Sequence, residues 1–130
     1  MEIFKKAILP KGFLAAGVAS GIKRSGKPDL ALFFSEVPAQ AACLFTSNKI
    51  QAAPLIFCKA SLKKSPVHQA IIVNSGNANC FTGKKGLADA EETAGLLAAQ
   101  TGISKARVLV ASTGIIGRPL PMEKIRAGIP

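Results

Sequence analysis

The sequence has no tryptophan and no tyrosine, so its aromatic side chains are seven phenylalanines. It contains only three cysteines, which are Cys43, Cys58 and Cys80. An odd number of cysteines without close spacing argues against a disulfide framework and against a metal site. We therefore expect three free thiols and no metal. Cys43 and Cys58 lie in apolar runs, and we expect both to be buried.

Long apolar runs are also missing. Residues 1–6 lack the apolar core of a secretory signal, and no stretch approaches the ~20 apolar residues that a membrane-spanning helix needs. We therefore expect a cytoplasmic protein with no membrane partner. A length of 130 residues fits one domain or a part of one, and we predict a single domain over residues 1–130.

Acidic residues are scarce: there are 7 against 17 lysines and arginines, which gives a net charge of +10. This balance makes a small basic nucleic-acid-binding module the alternative to an enzyme. However, the basic residues occur as scattered pairs such as Lys23 and Arg24, with no basic helix face and no zinc-finger spacing. We therefore expect no nucleic-acid partner, and we assign the charge to solvated surface or to contact with an acidic partner chain.

The apolar pattern predicts strands alternating with helices in a single α/β unit. The predicted strands cover residues 13–22, 29–35, 41–46, 54–58, 69–74 and 107–111, and the first two form an antiparallel hairpin around a turn at 25–28. The predicted helices cover residues 60–64, ending near Ser65 and Pro66, and 87–100, ending at Gly102, with a last helix beginning at Pro121 and carrying Met122 and Ile125 on one side.

Two of these segments carry more specific expectations. The apolar run at residues 70–73 suits burial on both faces of a sheet. In the helix over residues 87–100, Leu87, Ala94 and Leu97 share the face that we expect to point inward. Its acidic residues at 89, 91 and 92 should lie in the first turns, where the helix dipole favours negative charge.

Two polar segments follow predicted strands. Residues 74–79 read Asn-Ser-Gly-Asn-Ala-Asn, and small polar groups of this kind suit a turn. Ser112, Thr113 and Gly114 follow the last strand, where a hydroxyl beside a glycine can direct backbone N–H groups at a developing negative charge. The same residues could equally form a tight turn from strand to loop. They lack the lysine and glycine spacing of a phosphate-binding loop.

His68 is the only histidine. It has no acid or nucleophile beside it in the sequence, and we interpret it as a surface residue. No Ser–His–acid set follows from the spacing of the residues. The chain therefore combines the elements of an oxyanion hole with no evident nucleophile that would use it.

Several stretches together resemble a known family. They are residues 12–17, 29–32, 44–48, 52–54, 74–79 with 82–83, and 111–117, in family order over nearly the whole chain. On these stretches the chain resembles the ornithine acetyltransferases, also called bifunctional glutamate N-acetyltransferases. The resemblance implies an α/β fold of mixed, largely antiparallel sheets layered with helices, the ornithine acetyltransferase/DmpA-like sandwich. A second chain completes that fold, and this chain would be the N-terminal portion of the α chain.

The resemblance also implies an activity in arginine biosynthesis. The family is made as a precursor that cleaves itself before a threonine, which becomes the first residue and the nucleophile of the β chain. The threonine takes the acetyl group from N-acetylornithine and passes it to glutamate. Bifunctional members also accept acetyl-CoA as donor, and the sequence does not separate the two types. No cofactor or metal is implied, since acetyl-CoA acts as a substrate.

By the same resemblance, Thr113 and Gly114 form the oxyanion hole. Thr113 would offer its hydroxyl, and Gly114 its backbone N–H, with the missing side chain letting the acetyl group come close. The family's α chain continues beyond residue 130, so we expect the nucleophile and most substrate contacts outside this chain, and no substrate-binding residue is assigned. The expected partner is the β chain of the same precursor in an α2β2 heterotetramer. For residues 74–79 we expect only a loop that supports the site.

Overall fold

The structure is a computed structural model that describes residues 9–130. In this part of the chain four strands form one sheet, in the order β1-β2-β3-β4. The strands are β1 (Phe13–Val18), β2 (Leu30–Gln40), β3 (Val67–Asn77) and β4 (Val108–Ile115), and the helices are α1 (Ala53–Lys64), α2 (Gly83–Thr101) and α3 (Met122–Gly128). β1, β2 and β3 pair antiparallel, whereas β4 pairs parallel to β3. The predicted mixed α/β class is confirmed.

The helices pack against one face of the sheet. Leu30, Ile72 and Val110 point to this side, and each is at most 7% exposed. Leu97 of α2 and Ile125 of α3 pack into the same cluster. Removing this apolar surface from water is the main stabilising contribution to the layer. The core thus lies between the sheet and the helices.

The helix α2 is longer than predicted. It begins at Gly83, so its first turn contains no acidic residue, and the expected favourable placement of residues 89, 91 and 92 is wrong. Of the three residues expected inward, Ala94 and Leu97 are buried, whereas Leu87 is only half-buried. The helix ends as predicted, because Gly102 takes a left-handed φ of 72° at its C-terminus. Within residues 9–130 no helix has the length and apolarity to cross a membrane.

The helix α1 corrects two predictions. The strand predicted over residues 54–58 is helical and continuous with the predicted helix at 60–64. Pro54 lies in the first turn, where its missing N–H is tolerated, and Pro54 and Cys58 bury one face at a spacing of four residues. The end of α1 at Ser65, before Pro66, agrees with the prediction. The last helix also agrees, since α3 follows Pro121 and buries Met122 and Ile125.

The strand predicted at residues 41–46 is absent, and residues 41–52 form no helix or strand. Their apolar side chains find no neighbouring strand, and Leu44 is fully exposed. Cys43 is exposed as well, which contradicts its predicted burial, whereas Cys58 is buried as predicted. All three cysteines are free in the structure.

The strand boundaries differ from those predicted in a way that matters for the site. β1 ends at Val18 instead of residue 22, and β2 runs beyond residue 35 through an irregularity in register that accommodates Pro38. β3 and β4 both extend into the polar segments that were expected to be loops. Burial of residues 70–73 on both faces is wrong for this chain, because Ile71 on the face opposite the helices is 41% exposed.

Candidate active site

Thr113 and Gly114 lie inside β4, near its end. The parallel ladder pairs Thr113 with Ser75 and Gly114 with Gly76 of β3. The two polar segments identified in the sequence are therefore side by side at the carboxyl ends of adjacent parallel strands. This pairing brings residues 74–77 into direct contact with the candidate oxyanion hole.

Gly114 is required by the close approach of two strands. Its φ is 134°, a conformation that side chains disfavour. A Cβ atom at this position would lie 2.4 Å from the carbonyl carbon of Gly76 and 2.5 Å from the nitrogen of Asn77. The space beside Gly114 is thus filled by the backbone of β3. The structure explains the glycine by this contact and not by room for an acetyl group.

Thr113 and Ser112 face opposite sides of the sheet, as neighbours in a strand do. Ser112 points to the helix layer, where its Oγ donates a 2.5 Å hydrogen bond to Oδ1 of the buried Asn74. Thr113 lies on the other face and is exposed. Its hydroxyl is therefore accessible to a ligand from the side of the sheet that the helices leave uncovered.

Buried asparagines hold this end of the two strands together. Asn74 Nδ2 donates to the carbonyl of Asn77 at 2.9 Å. Asn77 Nδ2 donates in turn to the carbonyls of Arg118 and Pro119, at 3.2 and 2.9 Å. Because each of these groups is satisfied within the protein, the asparagines fix the loop after β4 against β3.

Asn79 extends the same network to the helices. It is fully buried, and its Nδ2 donates to the carbonyl of Gly86 in α2 at 2.8 Å, while its Oδ1 accepts from the hydroxyl of Thr82 at 2.8 Å. Its carbonyl accepts from the N–H of Ala53 at the start of α1, at 3.1 Å. A single asparagine thus joins the first turns of two helices to the end of β3.

A cleft of about 750 Å³ opens beside the paired glycines. Its lining residues include Lys23, Arg24 and Arg118, together with Gly76 and Gly114. No carboxylate lines it among the described residues. This cleft has no signature in the sequence, because its residues are far apart along the chain.

Asp29 organises the turn that forms one wall of the cleft. Its buried carboxylate accepts hydrogen bonds from Ser20 N at 2.7 Å, Ser20 Oγ at 2.8 Å and Lys23 N at 2.8 Å. Burial raises the pKa of this carboxyl, but the hydrogen bonds from Lys23 and Ser20 outweigh it, so the net pKa is lower than usual. The sequence feature that indicates this role is the position of the aspartate, directly after a Gly-Lys-Pro turn and before an apolar strand.

His68 lies away from this site, and its predicted surface position is wrong. It is 4% exposed, because α1 covers this end of β3. Its Nε2 lies 3.1 Å from Ser61 Oγ, and its Nδ1 has no hydrogen-bond partner among the described residues. Burial lowers the pKa of His68, opposed by the nearby carbonyl of Pro66. His68 lies at the opposite end of β3 from Ser75, which is the residue that pairs with Thr113. The structure therefore does not bring His68 to the candidate site.

The sheet topology and the paired ends of β3 and β4 define an α/β protein with a candidate site at the carboxyl ends of two parallel strands. The chain belongs to the ArgJ family, whose sequence profile matches residues 14–130. The arginine biosynthesis bifunctional protein ArgJ of Gloeobacter violaceus is 56% identical over 116 residues, which cover 89% of this chain and 29% of that protein. The predicted family resemblance is confirmed.

Two solved structures share the fold. The arginine biosynthesis bifunctional protein ArgJ of Bacillus halodurans superposes with a TM-score of 0.88 at 46% identity, covering 92% of this chain and 62% of that one. The ornithine acetyltransferase of Mycobacterium tuberculosis, solved with ornithine, gives a TM-score of 0.87 at 46% identity, covering 92% and 65%. The chain spans only 29% and 32% of the length of two curated ArgJ relatives that it matches. None of these comparisons supports the alternative of a nucleic-acid-binding module.

Proposed function

We propose that the chain is the N-terminal portion of an acetyltransferase that moves an acetyl group from N-acetylornithine to glutamate in arginine biosynthesis. The observation that carries the proposal is the pairing of Thr113-Gly114 with Ser75-Gly76 in a chain of the ArgJ family. In this proposal acetyl-CoA is a second donor, no metal or prosthetic group takes part, and the protein works in the cytoplasm.

Thr113 and Gly114 act in this proposal as the oxyanion hole. A threonine nucleophile outside residues 1–130 attacks the acetyl carbonyl, and its own α-amino group accepts the proton. The carbonyl oxygen then becomes negatively charged, and the Thr113 hydroxyl and the Gly114 N–H donate hydrogen bonds to it. When this intermediate collapses, the bond to the ornithine nitrogen breaks, ornithine leaves with the proton, and glutamate then takes the acetyl group from the threonine. Donors that are already held in place stabilise this charge without reorganising. The strand pairing and the asparagine network support such a fixed geometry.

The partner in this proposal is a β chain cut from the same precursor, in an α2β2 assembly. Its docking surface is the face of the sheet opposite the helices, which we call the open face. Phe13, Phe33 and Ile71 lie there and are 42%, 47% and 41% exposed. Large apolar side chains grouped on one exposed face are typical of a surface that is covered in the complete protein. Thr113 is exposed on this face too, so in this proposal its hydroxyl is accessible to the nucleophile on the partner.

The test uses the full-length protein that contains this chain, after self-cleavage. Purified enzyme should transfer acetyl from N-acetylornithine to glutamate, and a parallel assay with acetyl-CoA decides whether it is bifunctional. Thr113→Val keeps the shape of the side chain but removes one donor, so kcat should fall by roughly 10²–10³-fold. Binding of N-acetylornithine should change far less, because the donor acts mainly in the transition state.

Thr113→Ser is the matched control, because it retains the hydroxyl and should keep most of the activity. Cleavage and the unfolding midpoint of both variants should first be compared with wild type. If a correctly cleaved Thr113→Val enzyme keeps kcat within about threefold of wild type, the hydroxyl is not an oxyanion donor of the usual strength. Absence of transfer by the wild-type enzyme with both donors would overturn the function itself.

A further inference from the structure

The Gly114 N–H is not held by the hydrogen bonds between β3 and β4. Ala78 N donates to the carbonyl of Ile115 at 3.0 Å, and Ile115 pairs with Asn77 in the parallel register. In a parallel pair only alternate residues of one strand bond to a given neighbour, so at this end of β4 the bonds come from Ile115 and not from Gly114. The Gly114 N–H therefore points away from β3, to the side of β4 that no described strand covers. Its direction depends on what holds the residues before and after it.

Before Gly114, a hydrogen bond between two side chains joins the strands. Ser112 pairs with Asn74 in the register, and Ser112 Oγ donates to Asn74 Oδ1 at 2.5 Å. This bond lies on the helix side of the sheet. Since the hydroxyl of Thr113 lies on the opposite face, Ser112 can influence that donor only through the backbone.

The chain after Gly114 is held from β3 a second time. Asn77 Nδ2 donates to two carbonyls of the following loop, at 3.2 and 2.9 Å. Asn74 connects the two anchors, because its Nδ2 donates to the carbonyl of Asn77 at 2.9 Å while its Oδ1 accepts from Ser112. Asn74 is 4% exposed, so its amide cannot turn to water when one partner is removed.

On the basis of the proposed function, we infer that Ser112 and Asn74 are positioning residues for the oxyanion hole. Their hydrogen bond fixes the backbone immediately before Thr113, and with it the directions of the Thr113 hydroxyl and the Gly114 N–H, without touching the substrate. Donors that are held in advance stabilise the developing charge without reorganising. A misplacement of about 1 Å can cost on the order of 10²-fold in rate. The pair should therefore act on the transition state and leave substrate binding nearly unchanged.

The test is the Ser112→Ala variant of the full-length, self-cleaved enzyme. It removes the donor and leaves the buried Asn74 Oδ1 without its partner, so the backbone before Thr113 loses its anchor. We expect kcat for transfer from N-acetylornithine to fall by about tenfold, less than for Thr113→Val, while KM stays within about twofold. Ser112→Thr keeps the hydroxyl and should restore most of kcat. If Ser112→Ala fails to fold or to cleave, Ser112→Cys replaces it, since a thiol is a weaker donor of similar size and should give a smaller loss of kcat.

A double variant separates positioning from a purely structural role. If Ser112 acts through the Thr113 hydroxyl, its removal matters less once that hydroxyl is gone. In the Thr113→Val background Ser112→Ala should therefore cost less than about threefold in kcat, a remainder that belongs to the Gly114 N–H. Equal fold losses in the two backgrounds would overturn the inference, as would an unchanged kcat or a loss confined to KM.

Thr93→Val is the matched control, because it removes another buried hydroxyl, which lies in α2 and donates to the carbonyl of Asp89 at 2.8 Å. It should lower the urea midpoint of unfolding but keep the kcat and KM of wild type. A fall in kcat as large as that of Ser112→Ala would show that lost stability alone lowers turnover, and the inference would fail. If the wild-type enzyme transfers acetyl and Ser112→Ala matches it, only this inference fails, whereas a wild-type enzyme without transfer overturns the proposed function.

Discussion

Buried polar side chains determine the local geometry of the site. Asn77 and Asp29 each satisfy several backbone groups of loops that carry no regular structure of their own. Leaving one such buried group without its partner costs about 1–3 kcal/mol. The loop after β4 and the turn before β2 are therefore stabilised by single side chains. Substitutions at these residues should alter the cleft even though neither side chain carries out chemistry.

His68 gives a pH dependence that can be measured. Burial lowers its pKa in the folded protein below the ordinary value of 6.5, so the unfolded chain binds the proton more readily. The contribution of neutral His68 to stability is complete above pH 6.5 and is lost as the pH falls from there through the folded pKa. In this window the free energy of unfolding should decrease by up to about 1.4 kcal/mol per pH unit.

Urea unfolding of the full-length protein and of His68→Gln at several pH values between neutral and mildly acidic would measure this slope. Glutamine can still bond to Ser61 but does not titrate, so the variant should lose the His68 contribution to the slope. Asp29 does not interfere, because its lowered pKa places its own transition at more acidic pH. Identical slopes for wild type and variant would show that His68 is not held neutral by burial.

Predictions for single residues were correct where the sequence signal lies in a few adjacent residues, and they failed where it depends on distant segments. Gly102 and Pro121 were assigned correctly, because a helix end and a helix start have sequence signatures in a few adjacent residues. The burial of His68 and the exposure of Cys43 could not be predicted, since each depends on whether a distant segment covers it. The cleft was missed for the same reason, as Lys23 and Arg118 meet only in the folded chain.

The wrongly predicted elements are those whose apolar pattern fits more than one type of secondary structure. Residues 54–58 and 41–46 are short apolar runs, and such runs do not separate a strand from a helix or a loop. Pro54 at the beginning of the first run was the available signal for a helix start. The strands β2, β3 and β4 were recognised but ended too early. The prediction stopped β2 at residue 35, and it interpreted the polar residues after 74 and 111 as turns. Their continuation is determined by pairing with neighbouring strands.

The contact between β3 and β4 at the paired glycines gives an element-level prediction. In Gly114→Ala the new Cβ would overlap the backbone of Gly76, which is not the end of a flexible side chain. The two strands must separate, and overpacking of this kind typically costs about 1–3 kcal/mol beyond the strain of a positive φ. Urea denaturation of the full-length protein would measure this loss.

Gly117→Ala provides the matched control. Gly117 also has a positive φ, 77°, but nothing lies within 4 Å of its Cβ position. Its destabilisation therefore reports backbone strain without steric overlap, and a larger loss in Gly114→Ala combines the overlap of the strands with the greater strain of its φ of 134°. Equal losses in the two proteins would mean that β3 and β4 are not in the close contact that fixes Gly114.

At the scale of the whole molecule, the sheet is covered by helices on one face only. The composition did not predict this imbalance, because the run at residues 70–73 looked equally apolar on both sides. Ala70 and Ile72 are buried by the chain itself, whereas Ile71 remains exposed next to Phe33 on the open face. In a chain that spans about a third of its relatives or less, the missing cover is expected to come from the rest of the protein.

Ile71→Glu tests whether the open face is the docking surface. If the partner chain covers this position, the variant buries an unpaired carboxylate, which strongly disfavours assembly. Size-exclusion chromatography of the full-length protein should then show aggregates or separated chains in place of the wild-type assembly, with loss of acetyl transfer. Ile56→Glu is the control, because Ile56 is equally apolar and exposed but lies on α1 in the helix layer. It should assemble like wild type, since Ile56 lies outside the open face that the proposal assigns to the partner chain. An Ile71→Glu protein that assembles and turns over normally would show that the open face stays in water, and Thr113 would then lack the neighbouring chain from which a nucleophile could attack.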